Sequence, residues 1–176
     1  MADEDDDISS STLPHVGGFR LRWDVFLSFR GEDTRETITK NLYKALQQRG
    51  VRVFLDNDGL ERGDDIGPTL LEAIEDSAAA IIVLSRNYAN SRWCLQELTK
   101  ICESRRKLIL PLFYKVDPSD VRRQTGPFEK DFTLHEQMFV DSAIHEQMVS
   151  GWRTAMTKVG NKAGYVFNSS RYVIKP

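Results

Sequence analysis

Four apolar runs of strand length recur along the chain, Trp23–Phe29, Val51–Leu55, Ala79–Leu84 and Leu108–Tyr114, each followed by a polar turn and then by a stretch of helical periodicity. The runs are near-continuous rather than alternating, as expected of strands buried on both faces of a parallel sheet. Strands and helices that alternate in this way place helices on both sides of that sheet. The first predicted helix, about Thr34 to Arg49, carries Ile38, Leu42, Ala45 and Leu46 on one face and ends at Gly50. The second, about Ile66 to Asp76, buries Ile66, Leu70, Ala73 and Ile74. Asn90 or Ser91 caps a third that reaches about Ser104, with Cys94, Leu98, Ile101 and Cys102 as its core stripe. From Pro127 to Gly160 the pattern is helical with interruptions, and Tyr165-Val166-Phe167 is a candidate fifth strand. Five such strands close in the flavodoxin-like order 2-1-3-4-5. The predicted fold is therefore α/β, a three-layer sandwich with a five-stranded parallel sheet between helices.

Length and composition fit one ordinary globular domain: 176 residues, 40% hydrophobic and 28% charged. The acidic run Asp3-Glu4-Asp5-Asp6-Asp7 and the serines after it have too little apolar content to pack, so residues 1–20 are expected to be a disordered tail. The domain then occupies 21–168, with 169–176 as the start of a linker that lacks a helix cap or strand partner. The chain has 26 acidic and 24 basic residues. Without the five tail acids the body has 21 against 24, too mild an excess to suggest a specific nucleic-acid partner. No apolar stretch is long enough to span a bilayer and no signal peptide is visible, so no membrane partner is expected and the expected location is cytoplasmic or nucleocytoplasmic. Cys94 and Cys102 are eight apart on one predicted helix, about 12 Å along its axis and beyond disulfide reach.

Leu134-His135-Glu136-Gln137-Met138 recurs as Ile144-His145-Glu146-Gln147-Met148. A spacing of ten fits neither a solenoid nor a heptad multiple. The helical zinc motif needs a second histidine where this chain has Phe139 and Val149, so no metal site is expected and both histidines read as polar helix-surface residues.

Candidate chemistry gathers at the carboxyl ends of the strands, where ligands bind in open α/β sheets. Phe29-Arg30-Gly31 follows the first strand, Asp56 to Asp65 the second, and Ser85-Arg86-Asn87-Tyr88 the third. Trp93 and Glu97 lie one turn apart on the third helix. A carboxylate, an aromatic plate, two or three arginines and a glycine suit a nucleotide. Yet GxxxxGK[ST] and GxGxxG are both missing, which disfavours an ATPase or a dehydrogenase. A phosphoryl-accepting receiver domain would need an aspartate where Ser85 stands.

Four segments in order, Trp23 to Arg35, Leu60 to Ile66, Ser91 to Leu98 and Leu110 to Arg122, make the chain resemble the TIR (Toll/interleukin-1 receptor) domain in the form carried by plant intracellular immune receptors with nucleotide-binding and leucine-rich-repeat regions. The resemblance implies an NAD+ nucleosidase that acts upon self-association, with NAD+ or NADP+ as substrate and no bound cofactor. By position Glu97 is the implied catalytic carboxylate and Arg30, Gly31, Ser85 and Trp93 are implied substrate contacts. Phe29 and Arg62 complete the candidate set from the same loops. The competing class is a non-catalytic TIR–TIR adaptor.

Glu97 is expected to be a surface-accessible carboxylate. Trp93 reads equally as a stacking plate or as core packing, and Glu32 and Arg35 as surface ion-pair formers. Many plant relatives carry Ser-His where this chain has Lys40-Asn41. That change should weaken a two-fold helix contact and leave the domain mostly monomeric, with a second contact around Gly151 and Trp152.

Overall fold

A computed structural model describes residues 21–56, 66–138 and 142–168, and the backbone of 171–174. The strands are β1 (Trp23–Phe29), β2 (Val53–Leu55), β3 (Ser77–Leu84), β4 (Leu108–Tyr114), β5 (Tyr165–Asn168) and β6 (Arg171–Ile174). They form one sheet in the order β2-β1-β3-β4-β5-β6. The first five run parallel, in the expected order 2-1-3-4-5. The expected tail at 1–20 lies outside the described residues.

The sixth strand corrects the reading of 169–176 as a segment without a strand partner: Arg171–Ile174 pairs antiparallel with β5, from Asn168↔Arg171 to Tyr165↔Ile174. An antiparallel return needs no crossover helix, so nothing helical in the sequence announces it.

The helices are α1 (Gly31–Thr34), α2 (Lys40–Gln48), α3 (Pro68–Glu75), α4 (Arg92–Glu103), α5 (Pro118–Arg123), α6 (Pro127–Gln137) and α7 (Ala143–Gly160). The first predicted helix is in fact interrupted: a π-type turn over Arg35–Thr39 separates α1 from α2, and Thr37 leaves helical geometry at φ −117° and ψ −111°. Threonines explain the break. The Thr37 hydroxyl bonds the Thr34 carbonyl at 3.2 Å and the Thr34 and Thr39 hydroxyls bond each other at 2.8 Å, alternatives to the helical ladder.

Alternation along β1 divides the core. Val25, Leu27 and Phe29 pack with Ile38, Leu42, Tyr43 and Leu46 on the α2 side. Phe26 faces the other way, with Ile82, Leu84 and Phe113, into the larger core closed by α3, α4, α6 and α7. Gly164 lets the chain enter β5 tightly against β4: a Cβ there would fall 2.2 Å from the Pro111 carbonyl oxygen.

Two side chains expected at the surface belong to the larger core. His135 is buried, its Nε2 lying 2.8 Å from the Ala89 carbonyl oxygen and its ring edge-on to Trp152 with centroids 5.1 Å apart. Trp152 itself is 2% exposed, so its ring cannot lead a contact between copies. His145, from the second copy of the repeat, is half-buried beside His135 in a cavity between α6 and α7.

Candidate functional site

Glu97 is brought to the carboxyl end of β1 by α4, whose start is fixed by Ser91: the serine side chain accepts the Cys94 amide at 3.1 Å. One turn before Glu97, the Trp93 indole is half-buried and donates to the Asp56 carboxylate at 3.0 Å. Trp93 also packs on the larger core. The core-packing reading of Trp93 therefore holds, and the same ring also lines the cleft.

The cleft is lined by Phe29, Arg30, Gly31, Arg35, Asp56, Ser91, Trp93, Cys94 and Glu97. Its volume is about 10 Å³, roughly room for a single water. Arg35 forms part of its wall, its guanidinium carbon lying 5.0 Å from the Phe29 ring centroid. Gly31 makes room for that stack, because a Cβ would fall 2.9 Å from an Arg35 nitrogen. Arg35 is thus a cleft residue and not the surface ion-pair former expected. Glu32 does form such a pair, with Arg30 at 3.2 Å. The Arg30 side chain is 7% exposed.

Glu97 departs most from expectation, being 2% exposed where a solvated carboxylate was predicted. Ser28 Oγ donates to its Oε1 at 3.4 Å, and Oε2 is buried with no hydrogen-bond partner among the described residues. Burial pushes its carboxyl well above the ordinary glutamate range, the Asp56 charge adds to that, and the Ser28 hydroxyl partly opposes it. Ser28 Oγ lies 2.8 Å from the Tyr88 hydroxyl, which bonds the Cys94 carbonyl at 3.2 Å. Ser28 and Tyr88 are fully buried. Burial likewise raises the Tyr88 phenol, helped by nearby Cys94 and Glu97.

Ser85 directly follows β3, at the carboxyl end of the strand as expected. Its hydroxyl donates to Asp33 at 2.6 Å, and Asp33 also accepts the Asn87 amide and side chain, each at 2.9 Å. Ser85 thereby ties the β3 loop to α1 and does not line the cleft. Arg62 lies outside the described residues. Of the contact residues expected for self-association, Lys40 and Asn41 are exposed on α2, Lys40 pairing with Glu36 at 3.2 Å, and Gly151 is half-buried.

Sequence reasoning places Asp56 and Tyr88 in the candidate loops without giving either a role, and passes over Ser28 and Asp33 as site residues. Ser28 interrupts an apolar strand and Asp56 directly follows one, and a polar group in either position has to find a partner. Among the described residues no cluster of histidine, cysteine and acidic side chains could hold a metal, and no helix is long and apolar enough to cross a membrane.

The TIR domain family model matches residues 22–175. The chain is 47% identical over 167 residues to "Disease resistance protein RPV1" of Vitis rotundifolia, a match covering 93% of this chain and 11% of that protein. It is 45% identical over 155 residues to "TMV resistance protein N" of Nicotiana glutinosa, covering 86% and 13% respectively. The chain therefore spans only about an eighth of the length of these relatives. Among solved structures it is similar to the TIR domains of the activated Roq1 resistosome that directly recognizes the pathogen effector XopQ, at 44% identity and a TM-score of 0.75, covering 84% of this chain and 89% of that one. Sequence motifs, sheet order and these matches agree: the chain belongs to the TIR domain family.

Proposed function

We propose that this domain cleaves the nicotinamide–ribose bond of NAD+, or of NADP+, when several copies assemble, and that the products serve plant immune signalling in the cytoplasm. The observation that carries the reading is Glu97, a carboxyl group sealed at the end of β1 with one oxygen lacking a partner among the described residues. That oxygen is suited to accept hydrogen bonds from ribose hydroxyls, and such donors would favour the ionised form against the pull of burial.

The C1′–N bond breaks with its electron pair going to the pyridinium nitrogen, so nicotinamide leaves neutral and needs no general acid. Positive charge develops at the anomeric carbon, and an ionised Glu97 stabilises it in a site where water is scarce. Water then attacks to give ADP-ribose, or a nucleophile of the same molecule closes a cyclic product. Ordinary glycosidases need two carboxyl groups because one must protonate a poor leaving group. Here the second acid, Asp56, serves differently, accepting the Trp93 indole proton and so fixing the plate against which a base can stack. Arg30 and Arg35 supply positive charge for a diphosphate.

One observation favours the adaptor reading. A cleft of about 10 Å³ admits no dinucleotide without an opening of its walls. On the enzymatic reading, assembly supplies that opening.

The test is nicotinamide release from NAD+ as the purified chain is concentrated in a crowding agent. Release should rise faster than linearly with protein, and Glu97→Gln should lower it by about a hundredfold or more. No release at any concentration, or equal release by the variant, would leave the adaptor.

A further inference from the structure

We infer that Ser28 and Tyr88 are positioning residues for Glu97, forming a chain of hydroxyls whose direction reverses when the Glu97 carboxyl gains or loses its proton. The supply of hydrogens dictates this. Ser28 and Tyr88 have one hydroxyl hydrogen each. Three contacts need one: Glu97 Oε1 to Ser28 Oγ at 3.4 Å, Ser28 Oγ to Tyr88 Oη at 2.8 Å, and Tyr88 Oη to the Cys94 carbonyl at 3.2 Å. With Glu97 ionised, only two hydrogens are available. Tyr88 then donates to Ser28 and Ser28 to Glu97, and the Cys94 carbonyl forgoes the phenol.

With Glu97 protonated there are three hydrogens for three contacts. Glu97 donates to Ser28, Ser28 to Tyr88 and Tyr88 to Cys94. The whole set closes only in the neutral state, and it lies out of reach of bulk water, with Ser28 and Tyr88 at 0% and Glu97 at 2% exposure. The resting domain therefore keeps its acid neutral, and a ligand that brings hydroxyl donors to Oε2 switches the chain to its other direction. This inference rests on the nucleosidase reading for its purpose but not for its existence.

Other charged and titratable groups line the same cleft, and of these Asp56 raises the carboxyl. Asp56 reaches the cleft from the end of β2, Arg30 and Arg35 from the segment after β1, and the Cys94 thiol from α4. Tyr88 stands behind Ser28, on the turn before α4. Of these, only Tyr88 loses a hydrogen-bond partner when the Ser28 hydroxyl is removed.

The two positions should shift the Glu97 titration in opposite directions. Ser28→Ala deletes the donor to the charged form, a bond stronger than its neutral counterpart, so the Glu97 midpoint should rise by about one pH unit. Tyr88→Phe keeps the packing but takes away the Tyr88 oxygen that accepts the Ser28 hydrogen when a neutral Glu97 donates to Ser28. The midpoint should then fall, by less than the rise in Ser28→Ala.

The measurement is the pH titration of the Glu97 carboxyl carbon by NMR in the intact chain, assigned by its disappearance in Glu97→Gln. Tyr88→Phe, which conserves volume, also guards against a folding defect in Ser28→Ala. Shifts of opposite sign support the chain even if no nicotinamide is ever released, in which case only the enzymatic reading falls. Shifts of the same sign, or none in either variant, would overturn the chain even in an active enzyme.

Discussion

On the α4 side of the sheet, Phe26, Ile82 and Leu84 are fully buried and Phe113 nearly so, beneath α3, α4, α6 and α7. On the other side, Ile81, Leu112 and Tyr114 remain half-buried and Tyr165 is 57% exposed, because among the described residues α2 and the turn before it are the only helical cover on that face. The asymmetry follows from the strand order. In 2-1-3-4-5 the step from β1 to β2 runs across the sheet in the direction opposite to the later steps. A common right-handed crossover then puts α2 on one face and every later helix on the other. Among the described residues β5 leads on to β6 rather than to a helix over the bare half.

Chemistry and closure coincide. Ser28, Tyr88 and Glu97 all lie on the sealed side, where exclusion of water is what perturbs the acid. The open side offers instead an apolar groove of about 640 Å³, running from Ile38 and Leu42 to Leu112, Tyr114 and Phe167.

The sharpest way to break this contrast is to cut into the sealed side. Trp152→Ala should cost about 3–5 kcal/mol, as for other buried large side chains, and leave the domain partly unfolded at room temperature. Chemical denaturation measures it. A loss under about 1 kcal/mol would return Trp152 to the surface, where the sequence alone puts it as a contact residue.

A smaller effect sharpens the link between sealing and chemistry. The Glu97 carboxyl stands well above its unfolded value because of burial first and the Asp56 charge second. The folded state therefore holds a proton that the unfolded chain releases. The associated stability is complete below the ordinary glutamate range and is lost as pH rises through the raised value. Glu97→Gln removes that dependence. Its melting temperature should match the wild type near pH 4 and exceed it increasingly toward pH 8. A difference that ignores pH would mean that Glu97 is solvated.

The difference between the two sides also tracks what the sequence discloses. β1 and β4 can be read to the residue, because a continuous apolar run between polar turns has few other interpretations. α4 is legible with its serine cap. β6 is not: it follows β5 with no helical stretch between them to mark a new strand. The break at Thr37 depends on hydroxyls that compete with the helical ladder, a contest that spacing does not decide. For Glu97 the sequence supplies position and partner face but not solvation, since an acid one turn from Trp93 looks the same whether water reaches it or not. His135 and Trp152 are misread for a related reason. Their burial is decided by α6 and α7 packing together, a long-range contact that no local pattern encodes.

The mildest prediction concerns the open side, where Leu42 is half-buried against the α2 face of the sheet and lines the groove. Truncating it removes apolar contact from one direction only, and the groove already admits solvent from the other. Little new cavity forms, so Leu42→Ala should cost about 1 kcal/mol, below the usual range for a sealed leucine. Leu95→Ala, at 0% exposure on α4, should cost about 2–5 kcal/mol and provides the matched control. Denaturant titration of both variants reads the ratio directly. Equal losses would mean that something covers the groove in solution, and the comparison of a sealed and an open face would then hold only for a chain alone.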